Sequence, residues 1–168
     1  LLAKEALDKF ADTKEARDVI RSGLLSLSNV GGALRDHGAK VASAEFSRDG
    51  KFIVTRTMDH KVRLWDAGSK SVLKDLSEKT TENSATFSGD GKLIATAGTD
   101  GVVRIWDGSN GTLVRELRGH TEQVHRAIFS PDGNYLVSVS DDNTVRVWKV
   151  ASGELVKTLT GHTAAVHE

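Results

Sequence analysis

The 168 residues carry 23 basic and 23 acidic side chains, six histidines, one proline and no cysteine, so the formal charge is zero. Without cysteine there are no disulfides and no thiolate metal sites, and a reducing compartment, the cytoplasm, is the expected location. Charge balance without a basic excess argues against nucleic acid or an anionic membrane surface as partner. No apolar run approaches the ~20 residues that span a bilayer, and Leu1, Leu2, Ala3, Lys4 and Glu5 lack the basic-then-apolar order of a secretory signal. A first residue other than Met makes a longer parent protein the expectation.

Residues 1–29 have a helical rhythm. Leu2, Ala6 and Phe10 recur at helical spacing, Asp12, Thr13, Lys14 and Glu15 offer a capping box, and Ala16, Val19, Ile20 and Leu24 make a second apolar stripe. The pattern predicts two short helices in a hairpin, with Gly23 near the end of the second. Their simplest use is to cover an open sheet face or to serve as a linker.

From residue 30 onward the chain repeats. Trp65, Trp106 and Trp148 are 41 and 42 positions apart. Phe46-Ser47, Phe87-Ser88 and Phe129-Ser130 keep the same steps, as do Asp49-Gly50, Asp90-Gly91 and Asp132-Gly133. Each Phe precedes its Trp by 19 residues. A fixed period of this length signals stacked supersecondary units. Within the first copy a strand ending at residues 44–46 leads to the turn 47–50, where Asp-Gly supplies the residue that accepts positive φ. A strand at 52–57, a turn at 58–60, a strand at 62–65, a turn at 67–69 and a strand at 72–76 follow. Four β-branched and apolar strands per copy with no helix between them predict an all-β antiparallel meander.

These motifs closely resemble the WD-repeat family. Leu64-Trp65-Asp66 and Ile105-Trp106-Asp107 carry its name, and Val147-Trp148-Lys149 departs from it by replacing the Asp. Gly119-His120 and Gly161-His162 match the Gly-His that opens a repeat. The resemblance covers residues 30–168 and implies a partial β-propeller of four-stranded blades around a central channel. The repeats fall at about 37–78, 79–119 and 120–161, with the next beginning at 162–168. Flanking strands are expected near 33–35 and 165–167. Propellers typically close with 4 to 8 blades, and apolar surface left wet forgoes ~25 cal/mol per Å². A longer parent is therefore favoured over a ring closed by homo-oligomerisation. Residues 1–16 also resemble the helical run ahead of the propeller in bacterial signal-transduction NTPases, which implies a sensor that restrains an ATPase.

Ser138, His120 and Asp142 invite comparison with a hydrolase triad, which needs an exposed nucleophile and an oxyanion hole. The other copies argue against it. Ten positions before each Trp stand Thr55, Thr96 and Ser138, six before stand Asp59, Asp100 and Asp142, and His37 and His120 each precede their Phe by nine. In the resembled family these groups form a buried network with Trp65, Trp106 and Trp148, running from indole to hydroxyl, to His, to Asp. A site repeated in every blade is architecture, so neither catalysis nor a cofactor is expected. The second copy has Glu78-Lys79 in place of Gly-His, and its approach is one residue shorter: Leu76 to Phe87 is 11, Leu117 to Phe129 is 12. Its Thr96, Asp100 and Trp106 then lack a His, which predicts the least rigid blade or a substituted contact such as a water. The pairs His120/His125 and His162/His167 recur only because the blades do, and no zinc site is expected. Arg63, Arg104 and Arg146, two before each Trp, are read as pairing between blades.

Carrying over the family's partner-facing positions copy by copy selects Lys40, Ala42 and Met58, then Thr81, Asn83 and Thr99, then Gln123, His125 and Asp141, with Ala165 and His167 opening the next blade. The set lacks Trp, Tyr and Arg, the residues richest in binding hot spots. The expected function is a non-catalytic scaffold or sensor module of a larger bacterial protein, binding a protein or peptide. The alternatives are a regulatory propeller of a signalling NTPase or protease, a self-assembling unit, and a propeller enzyme. The last would need an acid–base pair lining the channel, which the copies do not show.

Overall fold

The computed structural model describes Leu34, residues 37–77 and residues 80–161. The helical lead-in, the pair Glu78-Lys79, the next-blade residues Ala165 and His167 and all but Leu34 of the flanking strands lie outside these residues. The described chain forms twelve strands. The first blade is β1 (Val41–Phe46), β2 (Phe52–Thr57), β3 (Val62–Asp66) and β4 (Val72–Asp75). The second is β5 (Glu82–Phe87), β6 (Leu93–Gly98), β7 (Val103–Asp107) and β8 (Leu113–Leu117). The third is β9 (Val124–Phe129), β10 (Tyr135–Ser140), β11 (Val145–Lys149) and β12 (Leu155–Leu159). Each group of four is one antiparallel meander, as the repeat predicts.

Turn chemistry sets the register. Gly50, Gly91 and Gly133 hold φ near 70°, where a side chain is strained, and close the first turn of each blade. Beside them Ser47, Ser88 and Ser130 donate to Asp49, Asp90 and Asp132 at 2.7, 2.7 and 2.5 Å. These local bonds bring Phe46 opposite Ile53 and Phe87 opposite Ile94. The second turn also needs one left-handed residue, supplied by His60 (φ 62°), Gly101 (φ 78°) and Asn143 (φ 62°) at equivalent positions.

The sheets bury both faces by stacking. Val54, Val62, Leu64 and Leu76 of the first blade pack on Phe87, Ile94 and Trp106 of the second. Ala95, Ala97, Val103, Ile105 and Leu117 of the second pack on Val124, Ala127, Phe129, Leu136 and Trp148 of the third. On the first blade's other face, Leu34 and Phe46 pack on Ile53, Trp65 and Ala67. Polar stitches cross the same boundaries. The Glu82 N–H donates to the His60 carbonyl at 3.0 Å, the Phe87 N–H to the Glu45 carboxylate at 3.3 Å, and Arg115 to the carbonyls of Ala151 and Ser152 at 2.9 and 3.0 Å.

Among the described residues, nothing packs on the third blade's far face. Leu76, Leu117 and Leu159 occupy the same position in successive blades, yet their exposures are 2%, 1% and 40%. Ile128 and Tyr135 on the third blade are likewise exposed. Truncating a buried Leu loses its transfer free energy and leaves a cavity. Leu76→Ala and Leu117→Ala should therefore each cost ~2–5 kcal/mol. Leu159→Ala should cost less than ~1 kcal/mol, as at an open surface. Urea denaturation with unchanged slope checks this, and an equal cost at Leu159 would mean that another surface covers it in solution.

Candidate functional site

The buried network is complete in the third blade. β10 carries Ser138, β11 carries Trp148, and His120 precedes β9, so the pairing of neighbouring strands in one sheet brings all three together. The Trp148 indole donates to Ser138 Oγ at 2.8 Å, and His120 Nε2 pairs with the same hydroxyl at 2.8 Å. His120 Nδ1 meets Asp142 Oδ2 at 2.7 Å. Asp142 also accepts from the Thr144 hydroxyl at 2.6 Å and from the Thr121 N–H at 3.2 Å. Burial pushes the Asp142 carboxyl upward, but Thr144, His120 and Thr121 outweigh it and hold it at about 2. Burial pulls His120 below its ordinary value, more strongly than Asp142 raises it. Both groups titrate lower when folded than when unfolded, so their stabilisation is present at neutral pH and lost on the acid side. Ser138 is fully buried with both roles of its hydroxyl used, so no substrate reaches it.

The first blade departs from the expected network. Trp65 donates to Thr55 at 2.8 Å as foreseen. His37 lies against the Trp65 ring, centroids 4.7 Å apart, whereas His120 and Trp148 are 6.3 Å apart. Asp59 is exposed and accepts the Thr57 hydroxyl at 2.5 Å, which corrects its placement as the buried end of the relay. The cause lies in two neighbours. Ser140, the third-blade equivalent of Thr57, turns its hydroxyl to the Gln123 carbonyl at 2.9 Å instead, and Lys61 stands where Thr144 braces Asp142.

In the second blade, Trp106 donates to Thr96 at 3.0 Å, and the missing His is answered by an acid. Glu82 is fully buried at the start of β5, where the other blades hold Val41 and Val124. Its Oε1 accepts the Thr80 hydroxyl at 2.7 Å and lies 3.5 Å from Arg104 Nη1. Burial pushes Glu82 up to about 7, against the pull of Thr80, Arg104 and the nearby Thr96 hydroxyl. Arg104 also binds Asp100 at 2.5 Å and Glu116 at 3.3 Å. Any side chain at Gly98 would run into Asp100 and Arg104. The substituted contact includes a buried carboxyl. The misplaced Glu among valines was the signal that could have found it.

Arg104 binds three acids of its own blade where pairing between blades is expected. Arg63 meets Asp75 at 3.7 Å within the first blade, and Arg146 sits 6.0 Å from its own Trp148 ring. Among the described residues, no group of three or more His, Asp or Glu side chains is arranged to hold a metal ion.

The expected partner-facing positions are paired in the same way in each described blade. The start of each inner strand and the second turn are joined by equivalent backbone bonds: Met58 N–H to Lys40 at 2.8 Å, Thr99 N–H to Thr81 at 3.0 Å, and Asp141 N–H to Gln123 at 3.1 Å. The Thr81 and Thr99 hydroxyls are 2.6 Å apart. Asp141 accepts from Gln123 at 2.6 Å and pairs with His125 at 2.6 Å. Met58 is 63% exposed, while Ala42 is half-buried. Asn83 spends its amide across the blade boundary, on the Val124 carbonyl at 2.9 Å and on Gln123 at 3.4 Å. It joins blades rather than standing clear for a partner.

A family model described as WD domain, G-beta repeat, matches residues 29–66, 72–107 and 111–149. In all, 1353 chains of solved structures match, so the likeness concerns a widespread fold rather than one partner. Among them, the structure of U3-55K aligns with a TM-score of 0.71 and 26% identity, covering 79% of this chain. The chain spans only 43% of that protein's length. Comparison with curated proteins returns no match.

Removing the Ser138 hydroxyl strands the Trp148 indole and one His120 nitrogen in a dry interior. Each unsatisfied group costs ~1–3 kcal/mol. Ser138→Ala should therefore destabilise the chain by at least ~1 kcal/mol, while Ser138→Thr, which restores the hydroxyl found in the other blades, should recover most of the loss. Thermal and urea denaturation read both.

Proposed function

The chain belongs to the WD-repeat family, and on that premise we propose that it is a rigid, non-catalytic platform binding a protein or peptide across its shared rim. Propellers of this family are typically non-catalytic and bind proteins or peptides. The observation that carries the reading is the set of three equivalent backbone bonds, which places Lys40 beside Met58, Thr81 beside Thr99, and Gln123 beside Asp141. A row of side chains ordered before binding loses little conformational freedom on contact, which favours affinity. Thr55, Thr96 and Ser138, the hydroxyls of the network, are enclosed in the fold.

Membership of a larger multidomain protein is part of the proposal. Its role as the regulatory propeller of a bacterial signalling NTPase draws only on residues 1–16, outside the described residues. Assembly of copies into a ring is a second reading, favoured by the third-blade face that carries the exposed Ile128, Tyr135 and Leu159.

Selection of a displayed peptide library on the immobilised chain tests the platform. Thr99→Arg and Asp141→Arg should each weaken a selected binder by about tenfold or more, ~1.4 kcal/mol. Lys92→Glu, in the turn at the opposite rim, should leave it unchanged. Equal loss at Lys92, or no effect at Thr99 and Asp141, would place the contact elsewhere.

A further inference from the structure

We infer that Glu82 is a proton-operated latch, which closes the core of the second blade when protonated and loosens the rim turn at 98–102 when ionised. The inference does not depend on the identity of any partner. Its basis is an unusual arrangement of charge. One guanidinium, Arg104, faces three carboxyls of its own blade: Glu82 at 3.5 Å, Asp100 at 2.5 Å and Glu116 at 3.3 Å. With all three ionised, the group sums to −2 (three acids, one base); with Glu82 protonated it sums to −1. Arg118 offsets Glu116 from an exposed position at 2.6 Å.

Asp100 holds Arg104 through two contacts, at 3.2 and 2.5 Å, whereas Glu82 reaches it through a single long one. Glu82 Oε2 is buried with no hydrogen-bond partner. A charge on that oxygen has no donor to spread onto, so it must either pull Arg104 away from Asp100 or bring water in. A proton removes the conflict. The neutral carboxyl then fits beside Thr80 and Thr96.

The groups around Glu82 come from several elements: Thr96 on β6, Arg104 on β7, Asp100 in the β6–β7 turn, Thr80 ahead of β5, and His60 in the first blade. Glu116 on β8 acts through Arg104. Asp100 follows Thr99, so a loosened Arg104–Asp100 bond is felt at the rim. The sign is set by burial, which holds Glu82 up at about 7 in the folded chain. A carboxyl that titrates higher when folded stabilises at low pH, and that contribution is lost as pH rises from its unfolded value through the folded one. His120 works the opposite way, so the pH response of the second blade must be read locally.

The Trp106 indole N–H, bonded to Thr96, reports the state of Glu82; the Trp65 and Trp148 indoles lie beside His37 and His120, so any step of theirs should persist in the Glu82 variants. NMR of the nitrogen-labelled chain from pH 5 to 8.5 should show the Trp106 signal moving through one titration centred near neutrality. Relative to the base-catalysed rise shared by all three indoles, exchange of its indole proton should quicken as pH rises toward that point, by up to roughly tenfold per pH unit, and level off above it. Trp65 and Trp148 should not share this step. Glu82→Gln should abolish it. Glu82→Val, which installs the side chain found in the other two blades, guards against misfolding of the Gln variant and should also abolish it. His60→Asn, which keeps a residue suited to positive φ, should leave it intact. The proposal is overturned if Trp106 does not titrate in this range, if the step survives both Glu82 variants, or if it disappears in His60→Asn.

Discussion

A four-stranded sheet with apolar side chains on both faces has no means of covering itself. Each blade depends on a neighbour pressed flat against either side, and the rest of the molecule follows from that dependence. The middle blade meets the condition in full: Ile94, Ala95, Val103 and Ile105 are essentially removed from solvent. The third blade meets it on one side only, where Leu136 and Trp148 are buried while Leu159 on the other side is not. The short strands are stable as members of a stack rather than as separate sheets.

Stacking imposes a second condition. Polar groups near the sheet boundaries become buried and must satisfy one another. The three blades answer it differently from one template. The third completes the relay Trp148, Ser138, His120, Asp142. The first stacks His37 on Trp65 and lets Asp59 turn outward to Thr57. The second replaces the imidazole with Glu82 and Arg104, which fits because Gly98 leaves room for the Arg104–Asp100 pair. The constant element is the indole-to-hydroxyl bond, formed at 2.8, 3.0 and 2.8 Å in the three blades. That bond recurs because it is local to β2 and β3 and their equivalents, whereas the outer members of the network come from loops free to vary.

The same division explains what could be read from sequence. Strand order and turn positions were legible because Phe and Trp keep a fixed separation and Asp-Gly marks each hairpin. The relay in the third blade was legible for the same reason. The orientation of Asp59 was not, since it depends on whether Thr57 or an equivalent of Thr144 competes for the carboxylate, a contest of geometry rather than of pattern. The own-blade pairing of Arg104 was not legible either, because acidic residues nearby in sequence do not reveal which side of a strand they face. Asn83 kept its place on the rim, but its bond to Val124 exists only once two blades are stacked. Glu82 is visible in the sequence as an acid in a valine position, but its burial beside Arg104 exists only in the folded blade.

Hydrogen–deuterium exchange of the strand amides tests the stacking account most directly, because protection follows how well each sheet is covered on both sides. The account requires β6 and β7, enclosed by the first and third blades, to be the slowest to exchange, and β12, exposed along its whole length, to be among the fastest. Equal protection of β12 and β7, or faster exchange in β6 than in the outer strands, would show that the sheets hold together by something other than their neighbours.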